Sequence, residues 1–264
     1  MSASRGQGGA AGRVLGLAAV ALAAVGAGGY LAWDWYGLWS AMRSTEPATI
    51  QAACYQIAER GAAGFLDELI ALLNRSGHDD VREAAGYALA RIGHPRGTGP
   101  LAAAIQRQDD DIIRAKLICY WSQLAGEAAE PTLRQWLAGQ EVWRAAGAAV
   151  ALSRRGHAHA ADVLLDQADC DEPLRRQFCA GELTKLAGPM SEMVGAGLDL
   201  STDGRHGFSA DQIAALRAWW AGPRTPQLLR DHLAWHSENN PRWRLIKRML
   251  HARERAEGWV GLKG

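Results

Sequence analysis

Phenylalanine is nearly absent, at three of 264 residues, and the chain has only four cysteines, five tyrosines and nine prolines. So few cysteines exclude a disulfide scaffold, and with no Cys-x-x-Cys pair or spaced Cys/His cluster nothing points to zinc or haem. An excess of one charge is missing too, since 29 Lys+Arg face 28 Asp+Glu. Setting aside Arg5 and Arg13, which precede a charge-free run, leaves 27 basic against 28 acidic residues, a balance that argues against nucleic-acid binding. What abounds is small: 50 alanines and 30 glycines, accompanied by 11 tryptophans. With 48% apolar and 22% charged residues, the chain is neither disordered nor collagen-like, and its alanine content favours closely packed helices over sheets.

Residues 14–33 carry no charge, and at 1.5 Å per residue they make about 30 Å of helix, the thickness of a hydrocarbon core. This predicts a transmembrane helix over 14–33, preceded by a short segment 1–13. Gly12 and Gly16, four apart, would permit close approach of another membrane helix. A cleaved secretory signal is the alternative, with small residues around Val25-Gly26-Ala27 for a peptidase. Trp33, Trp35, Tyr36 and Trp39 cluster where an interfacial aromatic belt would sit, which favours a retained anchor. Arg5 and Arg13 before the run, against Asp34 after it, place residues 1–13 in the cytoplasm and everything after Trp39 outside it. No lipobox cysteine accompanies the run. Residues 34–47 read as an aromatic juxtamembrane linker.

Beyond this linker the chain is dominated by self-similarity. An apolar residue followed by a mostly Arg position and small residues recurs with leads at 50, 81, 113, 143 and 174, spaced by 31, 32, 30 and 31 residues. A near-constant period over five copies signals a solenoid. Each copy continues at helical spacing, as in Val81, Ala84, Ala85, Ala88, Leu89 and Ile92. A break comes next at Gly61, Gly93-His94-Pro95, Gly126 or Gly156-His157, and then a second apolar stretch such as Leu101-Ala104-Ile105 or Leu133-Trp136-Leu137. Acidic or polar turns open the next copy, where carboxylates suit a helix N-terminus.

The stretch from Val81 to Leu101, VREAAGYALARIGHPRGTGPL, resembles the bacterial HEAT-like repeat of phycobilisome-lyase type, in the Arg after the leading apolar residue and in the Gly-x-Pro-Arg turn. The resemblance spans roughly residues 48–190 and implies an all-α fold, an α-solenoid of HEAT-like helix pairs serving mainly as an interaction surface. Gln51 replaces the Arg in the first copy, and Gly156-His157-Ala158 lacks the proline. A chromophore lyase would follow by family association, but it needs a nucleophile or an acid/base pair in a cleft, and no such constellation is legible. The acidic loop GLDLSTDG with the Trp219-Trp220 helix is similar to a tail that ends such chains, and residues 195–264 read as a helical cap with Ser209 and Gln212 as a capping box.

Candidate sites compete with simpler accounts. Asp199, Ser201, Asp203 and Gly204 imitate the start of a calcium loop, but His206 and Ala210 occupy the positions of an aliphatic residue and a bidentate Glu, so a polar capping loop is the better account. His78, His94, His157 and His159 fall in repeat turns; lacking the His-Glu pairs with which HEAT-like deoxyhypusine hydroxylases hold iron, they read as solvated. Cys170 and Cys179 flank an acidic turn that an oxidising compartment would allow to be bridged, a pairing left open, while Cys54 and Cys119 read as buried thiols. Trp121, Trp136 and Trp143 fall on repeat stripes, and Trp219, Trp220, Trp235 and Trp243 suit the cap. Residues 241–264 hold seven Lys/Arg and two Glu, with Arg244, Lys247, Arg248, His251 and Arg255 on one helix face, read as a solvated capping helix. No catalytic, cofactor-binding or metal-ligating residue is assigned. The sequence therefore predicts repeats over 48–194 and a cap over 195–264. It describes a single-pass inner-membrane protein with a periplasmic scaffold that binds other proteins. The alternative is an accessory subunit of an integral membrane complex.

Overall fold

The computed structural model describes residues 35–193, 195–201 and 207–222; the helix expected over 14–33, the basic face at 244–255 and Asp203, Gly204 and His206 lie outside these. Every regular element among the described residues is helical. Residues 35–41 form α1 inside the linker expected there, because Leu38, with Met42 in the turn that follows, gives it an apolar side that is buried. Helix pairs come next: α2 (Pro47–Arg60) with α3 (Leu66–Arg75), α4 (Asp79–Ile92) with α5 (Thr98–Arg107), α6 (Asp111–Ala125) with α7 (Glu130–Leu137), and α8 (Val142–Ser153) with α9 (Ala158–Ala168). The chain then forms α10 (Pro173–Met193) and α11 (Ala210–Trp220). No helix among the described residues is long and apolar enough to cross a membrane.

Local sequence sets each boundary. Pro47 enters the first turn of α2, where its missing N–H leaves nothing unsatisfied, and Asp110 caps α6 by accepting from the Ile113 N–H at 2.8 Å. Asp79 and Asp80 occupy the first turn of α4, against the positive end of its dipole. Gly61 and Gly93 close α2 and α4 with φ of 61° and 70°, the left-handed conformation that ends a helix and that a side chain would strain. The expected breaks are thus backbone reversals between the helices of a pair, three of them entering a short 3-10 turn before the second helix.

Neighbouring pairs stack through their first helices, α2 on α4, α4 on α6 and α6 on α8, while each second helix covers the flank. The array is an α-solenoid. Alanine makes the close stacking possible: Ala84, Ala85 and Ala88 of α4 and Ala146, Ala148 and Ala149 of α8 are all buried. One core runs from Leu38 to Ala160 and a second from Cys119 to Trp220, sharing α6, α8 and the flank of α7. The expected lead residues Val81, Ile113 and Trp143 are buried, whereas Leu174 is 57% exposed. That is a correction to the fifth copy. The helix after α10 packs mainly on α9, so no further first helix covers the α10 lead position.

The start of the cap follows expectation. Ser209 accepts from the Gln212 N–H and Gln212 returns a bond to the Ser209 N–H, closing the capping box, and Ile213, Leu216 and Trp220 turn into the second core. Arg217 clamps α11 to α9 through Asp166 at 2.7 Å.

Gly147 marks a close main-chain approach between first helices. A Cβ there would lie 3.0 Å from both the Cα and the carbonyl oxygen of Ala115, main-chain atoms that can retreat only if α6 and α8 separate. Gly147→Val is therefore expected to lower stability by about 1–3 kcal/mol through overpacking. Denaturant melts of the full chain read this as a reduced midpoint, while Gly77→Ala, with open space around the added methyl, leaves the midpoint near wild type.

Candidate functional site

Polar side chains run along the array in two registers. The first begins at the N-termini of α4, α6, α8 and α10, where an arginine pairs with a carboxylate three residues earlier: Arg82 with Asp79, Arg114 with Asp111, Arg144 with Glu141 and Arg175 with Glu172. Arg82, Arg114 and Arg144 also reach beyond their own turns. Arg82 donates to the Ser76 carbonyl at 2.6 Å and to Gln108 of the next repeat at 3.0 Å. Arg114 donates to the Gln108 carbonyl at 2.9 Å and to Glu141 of the following repeat at 2.7 Å. Gln108, buried, returns a bond to Asp79, and Glu172 accepts from the Trp143 indole at 3.1 Å. The result is a continuous lacing of consecutive loops. These groups are occupied with one another, so this register is structural.

The second register lies on the first helices themselves. Tyr55 of α2, Tyr87 of α4 and Tyr120 of α6 form a rank of edge-to-face rings with centroids 5.6 and 5.7 Å apart. Glu83, one turn before Tyr87 and only 7% exposed, accepts from the Tyr55 hydroxyl at 3.0 Å and from the Tyr120 hydroxyl. Burial pushes the Tyr55 phenol up to about 12, helped by the adjacent Glu83 charge, and the same causes drive Tyr120 higher still. Both phenols stay protonated donors near neutral pH, so the rank offers half-buried rings and hydrogen bonds rather than proton transfer.

Further along, Arg154 at the end of α8 pairs with Glu182 of α10, which also accepts from Lys185 at 2.8 Å. Burial works to raise the Glu182 carboxyl, but the Arg154 charge and the bonds from Lys185 and Arg154 outweigh it and hold the group below the usual range. Cys119 is fully interior between these groups; burial pushes its thiol up to about 12 despite the Arg154 charge. Cys54 is likewise pushed up to about 12 by burial, and burial drives Cys179 higher. None of the three supplies a thiolate nucleophile near neutral pH.

The structure places several of the candidate residues. Cys170 and Cys179 are both free: Cys179 is buried in the second core, whereas Cys170 stays in the loop, its sulfur accepting from Arg175 at 3.3 Å. His78 precedes α4 and His94 follows it, so the whole helix separates them; His94 instead accepts from the Arg96 N–H, and His157 lies 3.5 Å from Glu130. Among the described residues no group of three or more His, Cys, Asp or Glu side chains could hold a metal. Asp199 is engaged in a turn of its own, its carboxylate accepting from the Ser201 N–H at 2.9 Å and hydroxyl at 2.6 Å, while Gln212 ties the loop to α11 through the Ser201 carbonyl. Trp121 packs on Trp136 and Trp143 on Phe178, as their stripe positions require. Sequence reasoning missed Glu83 with its two phenols. Its signal was the spacing of Tyr55, Tyr87 and Tyr120, which follows the repeat.

Comparison with known proteins agrees with this architecture. The family model of HEAT repeats matches residues 37–121, covering α2 to α5 and most of α1 and α6. No curated protein matches the chain. The match supports a HEAT-like repeat array over these pairs, and the helices from α7 to α9 continue the same alternation beyond it.

The Arg154–Glu182 pair gives the array an acid-sensitive joint. Because the Glu182 carboxyl is held below its ordinary value of about 4.3, its contribution to stability is present above that value and is lost as pH falls through the depressed one. Wild type is expected to lose stability from about pH 4 downward relative to Glu182→Gln. Urea melts between neutral pH and about pH 3 measure this; parallel curves for the two proteins would show that the pair does not couple to folding.

Proposed function

We propose that this protein is a scaffold that docks other proteins on the face formed by its first helices, and that residues 14–33 tether the solenoid to the bacterial inner membrane with the array in the periplasm. The observation that carries the docking is the Tyr55, Tyr87 and Tyr120 rank, half-buried and continuous across three repeats, with the Lys185–Glu182 pair further along the array. HEAT repeats generally serve as protein-interaction scaffolds. Half-buried tyrosines suit such a surface, since each offers large contact area at low conformational cost. The tether rests on the uncharged run 14–33 and on Arg5 and Arg13 ahead of it.

A second reading, an accessory subunit of an integral membrane complex, draws on the five glycines at 12, 16, 26, 28 and 29, which suit close helix contact in lipid. Crosslinking and capture from mild detergent separates the two. Wild type is compared with a Tyr87→Ala, Lys185→Glu double variant of verified melting midpoint and with a chain whose residues 14–33 are replaced by an unrelated membrane helix. The docking reading expects about a tenfold loss of captured partner in the double variant, as for removal of a contact worth ~1.4 kcal/mol, and retention in the helix swap. Loss in the helix swap alone supports the accessory subunit. No partner in any sample, with turnover of a small molecule by the purified chain, overturns the docking reading.

A further inference from the structure

Large apolar side chains are exposed in only a few places among the described residues: Trp35 at 43%, Tyr36 at 62%, Trp39 at 37%, Val142 and Leu174. Three of these five fall within five consecutive positions, on α1. The helix has two sides. Leu38 and Met42, four apart, are each 5% exposed and join the first core. Tyr36 and Trp39, three apart, face away, their rings stacked at 6.1 Å, with the Arg43 guanidinium 3.6 Å above the Trp39 ring. Trp35 stands at the boundary and is pinned: it stacks on Phe65 at 4.8 Å and 15°, over Gly64, where a Cβ would come within 2.8 Å of the indole. A bare glycine under the ring is what admits this contact. The aromatic cluster is therefore built into the first repeat.

What covers it is indicated by the chain just before it. The uncharged run of residues 14–33 ends one residue ahead of Trp35, with only Asp34 between. Amphipathic rings beside a cation match the zone between headgroups and acyl chains, where tryptophan and tyrosine bury their apolar bodies and arginine stays with the phosphates. We infer that the Tyr36, Trp39 and Arg43 face of α1 lies in the lipid–water interface and that α1, through Leu38, Met42 and Trp35, holds the solenoid in one fixed attitude on the bilayer. This rests on the membrane tether proposed above. It goes beyond that proposal in making α1 a mount instead of a free leash.

The test uses the full chain in vesicles of phosphatidylethanolamine and phosphatidylglycerol, with Cys170→Ser as background so that the remaining cysteines, Cys54, Cys119 and Cys179, are buried. Spin labels are placed singly at Tyr36→Cys and Leu174→Cys, and together. The label at 36 is expected to collide more readily with oxygen than with a water-soluble nickel chelate, and the label at 174 to show the reverse. The doubly labelled chain is expected to give one narrow distance distribution. If the label at 36 is as open to nickel as the one at 174 while the chain resists an alkaline wash, the interfacial mount is wrong and the tether stands. A broad distance distribution would show that α1 swings and overturn the fixed attitude. Release of the chain by the wash overturns the tether and the mount together.

Discussion

The pairing of a carboxylate with an arginine three residues later is the constraint on which the array depends. Taken singly, such pairs on a helix surface contribute a few tenths of a kcal/mol. In this array the arginines do more than pair. Arg114 keeps only 16% of its side chain exposed and satisfies the Gln108 carbonyl, Asp111 and Glu141 with one guanidinium. A loop between helix pairs carries main-chain carbonyls with no helical partner, and a five-donor fork close by satisfies them where a lysine point charge would not. Because Glu141 accepts from Arg114 and lies against Arg144, the turn of one repeat cannot shift without moving the next.

That restraint explains how the phenols of Tyr55 and Tyr120, 65 residues apart, can meet one carboxylate. Hydrogen bonds from Tyr55 and Tyr120 to Glu83 cross one helix interface each, and together they demand that α2, α4 and α6 keep a common register. Small residues supply the nearness and the lacing supplies the register. Burying Glu83 is tolerable only because both carboxylate oxygens find donors, so the network adds specificity to the stacking that alanine contacts alone would leave slippery.

Much of the fold was written in periodicity. Five leads at a near-constant spacing located α2, α4, α6, α8 and α10, and the glycines at 61, 93, 126 and 156 located the reversals, because backbone geometry and apolar stripes are local properties. The candidate site was less legible. Asp79, Asp111, Glu141 and Glu172 read as acidic residues suited to helix N-termini, and nothing local shows that Arg82 and Arg114, three residues on from two of them, also reach into the next repeat. The Tyr rank escaped for a related reason: tyrosines at repeat spacing resemble core stripes until the stacking shows which side of the helix they occupy. Leu174 and α1 failed from the opposite direction, since the burial of an end element is set by the neighbour packed against it and not by its own pattern.

The repeats are alike in backbone and unlike in what they present. Along the first helices the chemistry changes from phenol hydroxyls around a carboxylate at α2, α4 and α6 to the ion cluster of Arg154, Glu182 and Lys185 at α8 and α10. Repetition alone would produce a surface that reads the same at every step, and a ligand could slide along it or lie on it at several equivalent offsets. The graded sequence of side chains removes that degeneracy. It gives the surface a sense of direction, so that the docking proposed above would have one offset and one polarity in which the groups of the two sides match.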